Sequence, residues 1–275
     1  MPAPDVIDYF CDDLRLRAGL DDDEAARRVL AAFRSVPRED FAGPGPWHIH
    51  SALAPLAPPK PTPDADPRWL YHDMLVVLDR EKGINIGQPA LWARLLSVAD
   101  VPRGGRILQV GTGVGYYTAI LAALVGPDGA VQAYEVEKDL ADRARDLLAA
   151  YPQTQVIHSD AARADLDQRF DRIIAFAGVT HIPEIWANAL APGGTLLLPL
   201  TGTNHWGAMI LAQADGGGGF TARTIGRCGF YPCQSARDPD QETAIDTLFS
   251  KPERLNQWRF RITEPGPKAR FEPMA

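Results

Sequence analysis

The sequence predicts an α/β fold: a mostly parallel sheet with helices on both faces. Three observations carry the prediction. From residue 105 to residue 200 short apolar runs alternate with stretches of helical periodicity, the pattern of a parallel sheet. A glycine-rich turn separates the first of these runs from the helix after it. The chain has 275 residues with 45% hydrophobic and 23% charged side chains, an ordinary globular balance with length enough for a sizeable core. The formal net charge of -7 argues against a dedicated nucleic-acid binder, which carries a basic face.

Taken in order, residues 5–35 read as two helices. Val6, Ile7, Phe10, Leu14 and Leu16 form an apolar stripe, and the acidic run Asp21 to Asp23 caps a second helix that ends before Pro37. Residues 42–68 hold six prolines between Pro55 and Pro67. That stretch is expected to be an extended loop, either a linker or part of a substrate rim. Met74 to Leu78 reads as a strand, and Pro89 opens a helix to Ala99. Strands are expected at 106–110, 130–134, 156–157, 171–176 and 195–200, with helices at 116–124, 138–150 and 182–190. Further strands fit 207–213 and 220–225, and the alternating Trp258, Phe260 and Ile262 suggest one more. The expected division is an N-terminal helical and proline-rich part over 1–88, a core over 89–233 and an extension over 234–275.

The richest segment is the turn at Gly111, Gly113 and Gly115. Glycines let the chain turn sharply and let a ligand lie against bare backbone at a helix start. Glu135 closes the next strand, where a carboxylate suits ribose hydroxyls. A dinucleotide fingerprint needs a third glycine at residue 116 or 118, but those positions hold Tyr116 and Thr118. A nicotinamide oxidoreductase is therefore disfavoured. The spacing resembles the G-x-G-x-G form of S-adenosylmethionine methyltransferases, whose ligand has no pyrophosphate.

Several longer segments extend this likeness. Residues 105–124, GRILQVGTGVGYYTAILAAL, resemble the first motif of the protein-L-isoaspartate O-methyltransferases. Val36-Pro37-Arg38 with Phe41 resembles that family's V-P-R-x-x-F, and Gln88-Pro89 its helix start. Phe170 to Ile174 and Leu190 to Leu196 resemble its later core strand and P-G-G turn. The resemblance implies a Rossmann-like S-adenosylmethionine-dependent methyltransferase fold. It implies that Gln109, Gly111, Thr112, Gly113 and Gly115 face the cofactor, that Glu135 holds its ribose, and that Asp160 and Ala161 lie beside its adenine. Asn85, Gly87 and Gln88 are the substrate-positioning candidates.

Three features depart from the family pattern. Residue 87 is glycine where a hydroxyl side chain is usual, Gln109 stands for the usual acid, and the chain continues to Ala275. The first and last resemble a subset found beside ribosomally made, modified peptides. The expected activity is carboxyl O-methylation of an isoaspartyl or aspartyl side chain, giving an ester that can collapse to a succinimide. A dedicated aspartate methyltransferase for such a peptide is one alternative, and a non-catalytic cofactor- or partner-binding module is another. A carboxylate with pKa near 4 is already ionised at neutral pH, so the chemistry calls for alignment rather than a general base. Its histidines, His48, His50, His72, His158, His181 and His205, show no metal-ligand spacing. Arg237 reads as a surface ion pair or a contact for an acidic peptide. Three sparse cysteines, no leader-like N-terminus and no long apolar run lead to the expectation of a cytoplasmic protein acting on protein or peptide, with neither nucleic acid nor membrane as partner.

Overall fold

A computed structural model describes residues 2–50 and 57–274. The chain divides into two compact, interleaved units: Met1–Gly104 with Thr112–Gly129 and Glu137–Gln155, and Gly105–Gly111 with Ala130–Val136 and Val156–Ala275.

The first unit begins with α1 (Pro4–Ala18), α2 (Glu24–Ser35) and α3 (Arg38–Ala42). Ile7, Phe10, Cys11, Leu14 and Ala18 are the buried stripe of α1, and Gly19 ends that helix in the left-handed region at φ 60°. Asp23 caps α2 by accepting from Ala26 N at 2.8 Å. A small antiparallel sheet follows, of β1 (His48–His50), β2 (Lys60–Pro61), β3 (Leu75–Asp79) and β4 (Ile84–Ile86), in the order β2-β1-β3-β4. The proline-rich stretch is therefore not loop throughout. Ile49 pairs with Lys60, and Pro61 is tolerated because β2 is an edge strand, where a missing N–H costs no ladder bond. Residues 51–56 of that stretch, Pro55 included, lie outside the described residues. The unit is completed by α4 (Pro89–Ala99), α5 (Tyr116–Val125) and α6 (Lys138–Leu147). Its core is aromatic: Phe10 meets Tyr71 at 5.4 Å, Phe41 meets Tyr116 at 5.7 Å and Trp92 meets Tyr117 at 5.4 Å between ring centroids.

The second unit carries the large sheet. Its elements are β5 (Arg106–Val110), β6 (Ala130–Glu135), β7 (Thr154–His158), β8 (Phe170–Ala175), α7 (Glu184–Ala189), β9 (Leu190–Thr201), β10 (Trp206–Ala214), β11 (Phe220–Gly229), α8 (Pro239–Leu248), β12 (Arg259–Ile262) and β13 (Phe271–Pro273). The strand order is β13-β12-β11-β10-β9-β8-β5-β6-β7. The pairs β5 with β6, β5 with β8, and β8 with β9 are parallel, as the strand–helix alternation requires. Beyond β9 the pairs through to β13 run antiparallel; β10 and β11 are joined by the glycine run 216–219, and β11 and β12 by a long connection that contains α8. The C-terminal residues thus extend the sheet by β12 and β13. The P-G-G segment lies inside β9: a register shift there accommodates Gly193 at φ 76°. Trp186, Phe170, Leu196, Leu198, Ile210 and Phe260 anchor one continuous buried cluster of this unit.

Among the described residues no helix is long and apolar enough to cross a membrane.

Candidate active site

In the sheet unit the predicted residues gather at the carboxyl ends of β5, β6 and β7, where open α/β sheets bind ligands. The apolar run Ile107 to Val110 is buried as a central strand. The chain then turns at Gly111, whose φ of +85° favours glycine. A side chain there would also press on Phe176 Cβ at 3.3 Å. Gly111 N donates to Tyr134 O at 2.9 Å, and Ser159 N donates to Glu135 O at 3.0 Å. These two main-chain bonds bring Gly111, Glu135 and the Asp160 segment to one edge. Glu135 is only 7% exposed. Asp160 turns the chain after β7, accepting Ala162 N at 2.9 Å. Ala161 is buried, and its carbonyl accepts Trp186 Nε1 at 2.9 Å.

Gln109 lies fully buried beneath the turn. Its Nε2 donates to Gly111 O at 3.3 Å, while its Oε1 finds no partner among the described residues. A neutral amide can brace the turn in this way, which the usual acid could not do, having no N–H to donate.

In the helical unit the turn continues through Thr112, Gly113 and Gly115 into α5. Gly113 has φ +56° and Gly115 φ +94°. The two glycines serve different needs. A Cβ on Gly115 would stand 2.9 Å from Leu148 Cδ1, whereas one on Gly113 meets nothing within 4 Å. The side of Gly113 where a Cβ would stand is therefore open. Thr112 Oγ1 is buried without a partner among the described residues. Tyr116 and Tyr117 begin α5, and burial raises both phenols well above their ordinary value.

The acceptor candidates stand at the start of α4 in the same unit. Asn85 Nδ2 makes a long bond of 3.3 Å to Gly83 O. Gln88 Nε2 donates to Asp73 Oδ2 at 2.7 Å, and Asp73 Oδ1 accepts Ala90 N at 2.8 Å. The Asp73 carboxylate, rather than the Gln88 side chain, thus satisfies an early N–H of α4. Gly87 O accepts the Tyr117 hydroxyl at 2.6 Å. The sequence reading missed Asp73 and Tyr117 because each acts through a partner 15 to 30 residues away.

The V-P-R-x-x-F residues are buried, with Val36 and Phe41 at 1% exposure and Arg38 at 0%. Arg38 Nη1 donates to Leu70 O at 2.7 Å and His72 O at 3.1 Å, and Nη2 donates to Met74 O at 2.9 Å. The motif is a buried clamp on the segment that carries Asp73. Arg237 is no loose surface pair: it bonds Glu242 and the carbonyls of Thr201 and Gly202. His48 is exposed and His50 half-buried in β1, and among the described residues no His, Cys, Asp and Glu cluster could hold a metal ion.

The residues present fit S-adenosylmethionine. In the sheet unit a buried carboxylate closes β6 and Gln109 Oε1 is buried without a partner among the described residues; in the helical unit Thr112 Oγ1 is likewise buried without one and there is room beside Gly113 for a group the size of a Cβ, features that a hydroxyl-bearing polar ligand can use.

Comparison with known proteins agrees. A family model described as protein-L-isoaspartate (D-aspartate) O-methyltransferase matches residues 63–238. A curated protein-L-isoaspartate O-methyltransferase from Methanothermobacter thermautotrophicus is 27% identical over 76% of this chain and 86% of its own. Protein-L-isoaspartate O-methyltransferase 2 from Archaeoglobus fulgidus is 31% identical over 75% and 85%. A solved protein-L-isoaspartate O-methyltransferase superposes with a TM-score of 0.64 at 19% identity, over 92% of this chain and 72% of that one. A Plasmodium falciparum protein described under the same enzyme name, in complex with S-adenosyl-L-homocysteine, gives 0.60 at 20% identity, over 82% and 97%. These two structures show the shared fold. With the family model covering more than half its length, the chain belongs to the protein-L-isoaspartate (D-aspartate) O-methyltransferase family, enzymes that use S-adenosylmethionine as methyl donor.

Proposed function

We propose that this chain methylates the side-chain carboxyl of isoaspartyl residues in proteins or peptides, with Gly111, Thr112, Gly113 and Gly115 cradling the methyl donor and Glu135 accepting its ribose hydroxyls. The observation that supports the site assignment is the space left beside Gly113, where an added Cβ would meet nothing within 4 Å, at φ +56° on the way into α5. S-adenosylmethionine, when bound, supplies an electrophilic methyl group on a sulfonium sulfur. The chain binds, orients and excludes water. Asp160 and Ala161 close the adenine side. The acceptor carboxylate arrives ionised, so no side chain need take a proton. It needs alignment and donors to replace lost water, and the Asn85–Gln88 segment at the start of α4 supplies them. The methyl ester can then collapse to a succinimide: the next backbone amide nitrogen attacks the ester carbonyl and the C–O bond breaks, methanol leaving with the amide proton, a step that needs no residue of this chain.

The relatives' isoaspartyl name supports that acceptor over a dedicated aspartyl peptide. Three free, buried cysteines support a reducing, cytoplasmic setting. The test is transfer of labelled methyl to a short isoaspartyl peptide and to its aspartyl twin. Ester on the first at least about 100-fold faster than on the second is expected, a discrimination worth about 2.7 kcal/mol. Equal or absent labelling of the pair would overturn the reading.

A further inference from the structure

The missing hydroxyl at residue 87 has a cause in the packing of the helical unit. A Cβ built on Gly87 would lie 2.6 Å from Trp92 Nε1, 2.9 Å from Trp92 Cδ1 and 3.3 Å from Tyr117 Cε2. Indole and phenol occupy the volume a serine would need. Trp92 is 1% exposed and Tyr117 is 5% exposed, so neither ring swings away without opening the core.

Tyr117 also fixes the segment it crowds. Its hydroxyl donates to Gly87 O at 2.6 Å. The same residue is the second of α5, two beyond Gly115, which caps that helix. One side chain therefore joins the glycine turn to the acceptor segment. From the other direction Asp73 holds Gln88 and Ala90, and Arg38 fixes the carbonyls on either side of Asp73. With no side chain at 87 to touch an acceptor, binding there falls to backbone, and backbone binds only as well as it is held in place.

We infer that Tyr117 is a positioning residue for methyl transfer: its hydroxyl sets the Gly87 carbonyl, and with it the acceptor segment, against the glycine turn. The inference rests on the functional reading above. Misplacement of reacting groups by about 1 Å costs on the order of 100-fold in rate, so partial release of one anchor is expected to cost about tenfold.

The test is Tyr117→Phe, which removes one hydroxyl and keeps the ring packed on Trp92 and Phe33. Expected are an about tenfold lower kcat on the isoaspartyl peptide, an unchanged Kd for S-adenosylhomocysteine by calorimetry, and faster amide hydrogen exchange across residues 84–90. Gly87→Ser is expected to lower kcat as well, because Trp92 blocks its side chain. The inference is overturned by unchanged exchange whatever the activity, by an unchanged kcat, by a fall in kcat that tracks lost cofactor affinity, or by a gain of activity in Gly87→Ser. Parent enzyme on the same peptide is the reference. If the parent does not methylate it, the substrate reading has failed, and the exchange measurement alone decides the role of Tyr117.

Discussion

Gly113 and Gly115 look alike in the sequence and differ in what surrounds them. Gly115 is glycine partly because Leu148 leaves no room, whereas Gly113 looks onto open volume. Gly113→Val would set a β-branched residue in the left-handed region and fill that volume. We expect stability to fall by about 1–2 kcal/mol and S-adenosylhomocysteine affinity to fall at least about tenfold, checked by denaturant unfolding and calorimetry. The turn at Gly113 and Gly115 and the strand end at Glu135 were legible because a strand, a turn, a helix and an acid follow one another within 30 residues. The engagement of Gln88 by Asp73 was not, since a hydrogen bond across 15 residues of turn and small sheet leaves no local pattern. Nor does residue 87 announce Trp92, because whether a glycine is spare or obligatory depends on a neighbour brought in by the fold.

Elements with strong periodicity were predictable within a few residues: α1, α2, α4, α5 and the strands from β5 to β11. Of the segments that escaped, α8 has ten residues with few apolar ones among them, and others are short. β1, β2 and α3 are five residues or fewer, too few for periodicity to declare itself, and they persist because tertiary contacts hold them. Pairing direction was only partly legible: the short turns between β9, β10 and β11 favour antiparallel pairing, whereas β11 and β12 pair antiparallel across a long connection that contains α8. The clamp on the Leu70–Met74 segment is an element-scale prediction. Arg38→Met keeps the bulk but leaves three carbonyls without their donor. We expect a loss of about 3 kcal/mol by urea unfolding, and a lysine at 38 should not rescue it, having no planar fork. Loss of the α2 cap in Asp23→Ala should cost about 1 kcal/mol, with no effect on cofactor affinity.

Across the whole molecule, burial is the leading cause of the shifts at the thiols and at His181, while hydrogen-bonded partners lead at surface pairs such as Asp215 with Arg261. The Cys11 thiol is pushed up to about 11 and the Cys233 thiol up to about 12, chiefly by burial, and Cys228 is raised further. The native protein should therefore leave its three thiols unreacted toward a disulfide reagent at pH 8, and all three should react after unfolding. His181 is held below its ordinary 6.5, first by burial and secondarily by Arg237, with Asp238 and Glu184 opposing. Between its folded value and 6.5 the unfolded chain binds a proton that the folded chain does not. Stability thus rises with pH through that window and is lost as pH falls below 6.5. His181→Gln should flatten the acid side of the Tm profile. The ring lies where Thr180 ties the exit of β8 to Ala236 and Asp238, so acidification should loosen the C-terminal part of the sheet first.

The most direct measurement is calorimetric titration of S-adenosylhomocysteine into the parent protein and Glu135→Ala. A carboxylate that grips both ribose hydroxyls should be worth at least about 30-fold in Kd, roughly 2 kcal/mol, with the fold intact by circular dichroism. Equal affinity in the two proteins, or no binding to the parent, would contradict the placement of the cofactor at the end of β6.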